Sequence, residues 1–106
     1  MQIWGITTCD TVRKARAALP GADFRDIRTD PLSADERAEL IAAFGDTIIN
    51  RASLTWRKLD EGARGQGPDA LLSAHPTLMK RPVIRDDQGR LHLGWTKAVQ
   101  ADLGVA

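Results

Sequence analysis

The stretch MQIWGITTCDTVRKARAAL, residues 1–19, sets the reading of the fold. Its first six residues are short, apolar and β-prone, and they predict a buried strand. From Asp10 the pattern turns helical. Val12, Ala15 and Leu19 fall at i, i+3 and i+7 and make one apolar stripe, while Arg13, Lys14 and Arg16 face outward. Pro20 and Gly21 end that helix. Residues 24–28 (FRDIR) alternate as a second strand would. Strand, helix and strand in that order imply a parallel pair joined by a crossover helix.

The next stretch, PLSADERAELIAAFG (residues 31–45), holds the clearest helix. Ser33 and Glu36 form a capping box, Leu40, Ile41 and Phe44 supply the apolar face, and Gly45 stops it. Residues 46–59 read as short helices around Ile48, Ile49, Leu54 and Trp56. Residues 62–68 (GARGQGP) read as an exposed loop, and Asp69 is expected to cap a short helix through Ala74, halted before Pro76. PVIRDDQGRLHLGW (residues 82–95) reads as a hairpin, with strands at 82–85 and 90–93 around a turn at 86–89. A last helix is expected over 96–102, ending at Gly104. The order β-α-β-α, helical middle, β-β-α puts antiparallel strands beside the parallel pair in a mixed four-stranded sheet. A thioredoxin-like α/β fold satisfies it, as one domain over 1–106 with a helical insert at about 46–76.

A chain of 106 residues can bury one core. Its net charge of +1 is spread over interleaved acids and bases, so neither nucleic acid nor a membrane surface is an expected partner. No run approaches the ~20 apolar residues of a membrane span, and the first residues lack a secretory-leader pattern. The single cysteine fits a reducing, cytosolic compartment, and a monomer is expected. Any disulfide that Cys9 makes is with another molecule.

Cys9 falls at or just before the start of the first helix, where unpaired N–H groups and the positive end of the helix dipole stabilise an anion. Such a position can lower a thiol pKa below its free value of about 8.5. Arg13, four residues on, adds positive charge, and Asp10 opposes it. The competing reading is a small buried hydrophobe, but Thr7, Thr8 and Asp10 are polar company for a core position. A tyrosine-phosphatase loop needs an arginine where Ala15 stands, with Arg13 and Arg16 out of register. A dithiol C-x-x-C motif needs a second cysteine where Val12 stands. A cysteine protease needs a tethered histidine, and nothing ties His75 or His92 to Cys9. One cysteine and two distant histidines make no metal-ligand spacing. A single thiolate remains, able to form a mixed disulfide with a small thiol or to attack an oxyanion.

GITTCDTVRKA (residues 5–15), INRASLTWRKL (49–59) and HPTLMKRPVI (75–84) occur in an order that resembles the ArsC/YffB-like branch of the thioredoxin superfamily. That branch holds the glutathione- and glutaredoxin-type arsenate reductase relatives and the Spx regulators. The resemblance implies that Cys9 is the nucleophile and that Arg13 is the arginine of its Cys-x-x-x-Arg loop. Arg51 would help hold an oxyanion or the thiolate, Arg81 would sit beside the cysteine, and Pro82 would be the fold's proline, with a cis bond after Arg81. Thr8 and Arg57 join the candidate substrate contacts. Planar guanidinium groups suit a thiolate, an arsenate or a glutathione carboxylate through paired hydrogen bonds.

Two departures weaken arsenate as substrate. The arsenate reductases carry a further arginine near Leu93 and Gly94, and a glycine where Asp10 follows the cysteine. Val12 removes the C-x-x-C switch found in many Spx regulators. The resemblance therefore implies a glutathione-dependent thiol reductase with glutathione as co-substrate, no bound cofactor or metal, and glutaredoxin as a candidate partner. Two alternatives stay open: an Spx-like domain docking on a protein such as RNA polymerase, and a glutaredoxin-coupled arsenate reductase. Without the resemblance, Arg51, Arg57 and Arg81 read as surface arginines. Trp4, Trp56 and Trp95 read as packing, His75 as capping or packing, and Asp86-Asp87 as turn chemistry. His92 alternates with Leu91 and Leu93 and is expected to face solvent. Thr8 could donate to the Cys9 sulfur or serve an ordinary helix-entry role.

Overall fold

The apolar start of the chain forms β1 (Gln2–Gly5), followed by α1 (Asp10–Ala18) and β2 (Asp23–Asp26). Then come α2 (Ala34–Phe44), a 3-10 turn (Gly45–Ile48), α3 (Leu54–Lys58), α4 (Glu61–Arg64), α5 (Pro68–Ala74) and a second 3-10 turn (Pro76–Leu78). β3 (Val83–Arg85), β4 (Leu91–Leu93) and α6 (Lys97–Asp102) close the chain. These elements come from a computed structural model, which describes residues 1–105 in two units, one of Met1–Asp30 with Arg81 onward and one of Pro31–Lys80.

The first unit carries the whole sheet, in the order β2-β1-β3-β4. β1 runs parallel to β2, while β1–β3 and β3–β4 are antiparallel. This is the mixed sheet that the element order implied. Ile3, Phe24 and Ile84 are paired across the strands and so share a face. Ile3 and Ile84 are buried there with Ala15 of α1, and Leu19, Trp95 and Leu103 pack around them. Gly5 lies on that face too. A Cβ at this position would stand 2.6 Å from Val12 Cγ2, so the missing side chain lets α1 approach the sheet. Trp4 lies on the other face and is buried, with the guanidinium groups of Arg25 and Arg85 over its ring at 5.7 and 5.5 Å.

His92 departs from expectation. It is paired with Ile84, so it points to the helix-covered face rather than to solvent. Its side chain is only 12% exposed, and Nε2 lies 2.9 Å from Asp86 Oδ2. The Asp86 carboxylate also accepts from the amides of Gln88 and Arg90 (both 2.9 Å), and Gly89 takes a positive φ of 84° to close the turn.

In the second unit α2 begins with both halves of the capping box: Glu36 N–H donates to Ser33 Oγ (3.1 Å), and Ser33 N–H donates to Glu36 Oε1 (2.8 Å). Gly45 ends the helix at φ 58°. Two expectations are corrected here. Part of the stretch read as loop is helical, because Asp60 caps α4 by accepting from Ala63 N–H at 2.7 Å and so holds Gly62 in a helical turn. Asp69 is not the cap of α5: Pro68 starts that helix behind Gly67, and the Asp69 carboxylate instead accepts from Arg37 Nε of α2 at 2.8 Å. Leu40, Ile48, Leu71, Leu78 and Met79 are buried, and α2 packs on α5.

Candidate active site

β1 ends at Gly5, and the chain turns through Ile6, Thr7 and Thr8 before α1 begins. Cys9 N–H reaches back to Ile6 O (3.4 Å), and Cys9 O accepts the first helical bond from Arg13 N–H (3.0 Å). Cys9 is therefore the N-cap of α1, with extended backbone (φ −88°, ψ 123°). A good cap residue would accept from the second or third helical amide. The Cys9 side chain closes no such capping bond, yet the amides of Val12 and Thr11 face the sulfur. The thiol is partly buried, which pushes its pKa up. The Val12 amide, the Arg81 guanidinium, the Thr11 amide and the Arg81 charge together outweigh that and hold it below its ordinary value.

Arg81 comes from the other end of the first unit, two residues before β3 begins at Val83. The Arg81–Pro82 peptide is cis, as the resemblance implies, and Pro82 is fully buried with its carbonyl accepting from Gly94 N–H at 2.8 Å. The first unit thus brings Cys9 and Arg81 together over 72 residues of sequence. Arg13, in α1, has a different set of contacts: Nε donates to Thr7 O (3.1 Å) and Nη1 to Asp10 Oδ1 (3.2 Å). Thr8 is exposed in the turn. Arg51 and Arg57 belong to the second unit. There Arg51 donates to Asp46 O (3.3 Å) and stacks on Trp56 (5.2 Å), while Arg57 is exposed and its carbonyl accepts from Arg64 Nη2 (3.0 Å). Among the described residues no group of three or more His, Cys, Asp or Glu is placed to hold a metal ion.

Sequence reading missed the residues around Thr7. Asp26, the last residue of β2, accepts from Thr7 N–H (3.3 Å), and Arg28 Nη2 donates to Thr7 Oγ1 (3.1 Å). Arg28 also grips the Asp26 carboxylate through Nε (3.2 Å) and Nη2 (2.9 Å). The Arg28 guanidinium first, aided by the amides of Arg28 and Thr7 and opposed by desolvation, holds the Asp26 carboxyl down at about 2. These residues stand 19 and 21 positions from Thr7, and only the parallel pairing of β1 with β2 makes them neighbours.

A model of the ArsC family matches residues 4–102. The chain belongs to the ArsC family. It is similar to the solved structure of a YffB protein, with 31% identity, a TM-score of 0.85 and coverage of 99% of this chain and 98% of that one. The solution structure of an arsenate reductase related protein from Brucella melitensis is 33% identical, with a TM-score of 0.72 and coverage of 94% and 91%. The global transcriptional regulator Spx of Bacillus subtilis is 32% identical over 100 residues, which cover 85% of this chain and 76% of that protein. The fold is the thioredoxin-like one that the family's structures share. An arsenate reductase-like scaffold and kinship with Spx thus stand side by side in one ArsC-family chain.

Proposed function

We propose that this ArsC-family protein is a glutathione-dependent thiol–disulfide reductase working through Cys9 alone. The observation that carries the reading is a cysteine at a helix N-terminus, faced by an arginine and two backbone amides, in a chain with no second cysteine. The Cys9 thiolate attacks the glutathione sulfur of a mixed disulfide R–S–S–G. The S–S bond breaks, Cys9–S–S–G forms, and RS⁻ leaves to take a proton from water. A second glutathione, as thiolate, attacks the adduct, releasing oxidised glutathione and the Cys9 thiolate. The sum is RSSG + GSH → RSH + GSSG, with two electrons passing from glutathione to the substrate.

Arg81 holds the sulfur's negative charge before attack and again as the thiolate leaves in the second step. The same reading gives Thr8 and Arg13 of the first unit a share in holding the substrate, and it makes glutaredoxin a candidate partner. The test is turnover of a glutathionylated peptide with glutathione and glutathione reductase, with mass spectrometry of the trapped protein. A single glutathione adduct on Cys9 and loss of turnover in Cys9→Ser are expected. Turnover unchanged in Cys9→Ser, or the absence of any adduct, would contradict the reading.

The identity to Spx favours a second reading, a regulatory domain that binds a protein partner such as RNA polymerase. Stable co-purification with polymerase, without glutathione turnover, would put it ahead. Arsenate reduction is the narrower alternative, and arsenite release with glutathione and glutaredoxin is its readout.

A further inference from the structure

Building on the reading of Cys9 as the reacting thiolate, we propose that Asp26, Arg28 and Arg13 form a brace that clamps Thr7 and so fixes the loop presenting Cys9 to Arg81 and to the Val12 and Thr11 amides. Every polar group of Thr7 is held by a charged side chain. Its N–H donates to Asp26 Oδ2, its Oγ1 accepts from Arg28 Nη2, and its carbonyl accepts from Arg13 Nε. Thr7 is the midpoint of the turn that ends with Cys9 N–H on Ile6 O. The loop holds no proline, and among the described residues its own backbone closes one long bond, of 3.4 Å, to which the three side-chain bonds on Thr7 are added.

The brace is itself anchored. Ile27 N–H bonds Gly5 O at 3.0 Å, which extends the β1–β2 ladder past the strand ends and sets Asp26 and Arg28 alongside the loop. The Asp26 carbonyl accepts from Thr29 and Asp30 N–H (3.2 and 2.9 Å), and its Oδ1 accepts from Arg28 N–H at 2.9 Å, so the carboxylate is fixed by its own turn. The Asp26 side chain is 13% exposed and its Arg28 partner 38%, so solvent screens the pair in part. Arg13 is tied back by Asp10, so its guanidinium spans the loop and the first turn of α1. These are positioning residues: they act on Cys9 through Thr7.

Charge alone and the brace predict different signs. By charge alone, Asp26→Asn removes a negative group and lowers the Cys9 thiol midpoint, while Arg28→Gln removes a positive one and raises it. If the two act as a brace, either substitution frees Thr7 and lets the cap amides drift from the sulfur, so both midpoints rise. The experiment is the rate of Cys9 alkylation by iodoacetamide against pH in the wild type, Asp26→Asn, Arg28→Gln, Thr7→Val and Arg81→Ala, with a thermal melt of each. Thr7→Val deletes only the hydroxyl arm and is the gentlest probe should a charge variant fail to fold. A rise in midpoint in Asp26→Asn, Arg28→Gln and Thr7→Val, read as an about threefold slower alkylation at neutral pH, is expected. Opposite shifts in Asp26→Asn and Arg28→Gln, or no shift in either while Arg81→Ala raises the midpoint, would overturn the brace and leave the proposed function standing. A wild-type midpoint at the free-thiol value would overturn both.

Discussion

At the scale of single residues, Cys9 depends on groups of two kinds: two amides that come with the helix, and one guanidinium carried in from beside β3. Lysine would keep the charge of Arg81 but lose the planar, delocalised guanidinium fork. Arg81→Lys is therefore expected to raise the thiol midpoint less than Arg81→Ala, and alkylation rates across pH check the ranking. The two kinds of group were not equally legible. A lone cysteine among Thr7, Thr8 and Asp10 at a strand-to-helix change reads as a thiol at a helix N-terminus, where the backbone supplies donors whatever the side chains. Arg81 came only through its place before Pro82 in a family pattern. Thr7, Asp26 and Arg28 gave no signal, since FRDIR reads as a strand and nothing local tells which loop its acid and base will reach.

At the scale of elements, the approach of α1 to β1 sets the cap. Gly5→Ala would drive a methyl into Val12, which is fully buried, and is expected to cost about 1–3 kcal/mol by urea denaturation. Adding Val12→Ala should return part of that loss by making room. In the second unit, Ser33→Ala removes one arm of the capping box and should cost about 1 kcal/mol, read in the same denaturation experiment. The elements that the sequence announced most clearly are those with chemical punctuation: Ser33 with Glu36, Gly45, and Asp86 with Gly89. The misreadings arose where two signals competed. Gly62 and Gly65 suggest a loop, yet Asp60 caps the helical turn Glu61–Arg64, which contains Gly62. Asp69 looked like a cap, yet Pro68 had already started the helix and Arg37 took the carboxylate. His92 followed the alternation of its strand, but its pairing with Ile84 puts it on the face that the helices cover.

At the scale of the whole molecule, the chain offers one thiol and no internal partner for it. Treatment with oxidised glutathione is expected to add one glutathione per chain at Cys9 and none in Cys9→Ser, measured by intact mass. Stability should carry the mark of Asp26. Its carboxyl titrates near 2 in the folded protein, below the unfolded value of about 3.9. The folded state then gains stability that is complete above the unfolded value and is lost as pH falls from about 4 through about 2. After allowance for the partly exposed Arg28, that gain is about 1 kcal/mol. Urea midpoints from pH 6 to pH 2 should fall less steeply in Asp26→Asn than in the wild type, and equal slopes would contradict the assignment.

The central claim, that Cys9 is a stabilised thiolate beside Arg81, is open to a direct optical measurement, because the chain has one cysteine and no tyrosine to absorb in its place. Ultraviolet thiolate absorbance should be titrated in the wild type and in Arg81→Ala. A wild-type midpoint below the free-thiol value of about 8.5, and a rise in the variant, are expected. A wild-type midpoint at or above the free value, indifferent to Arg81, would contradict the claim and leave Cys9 a structural sulfur.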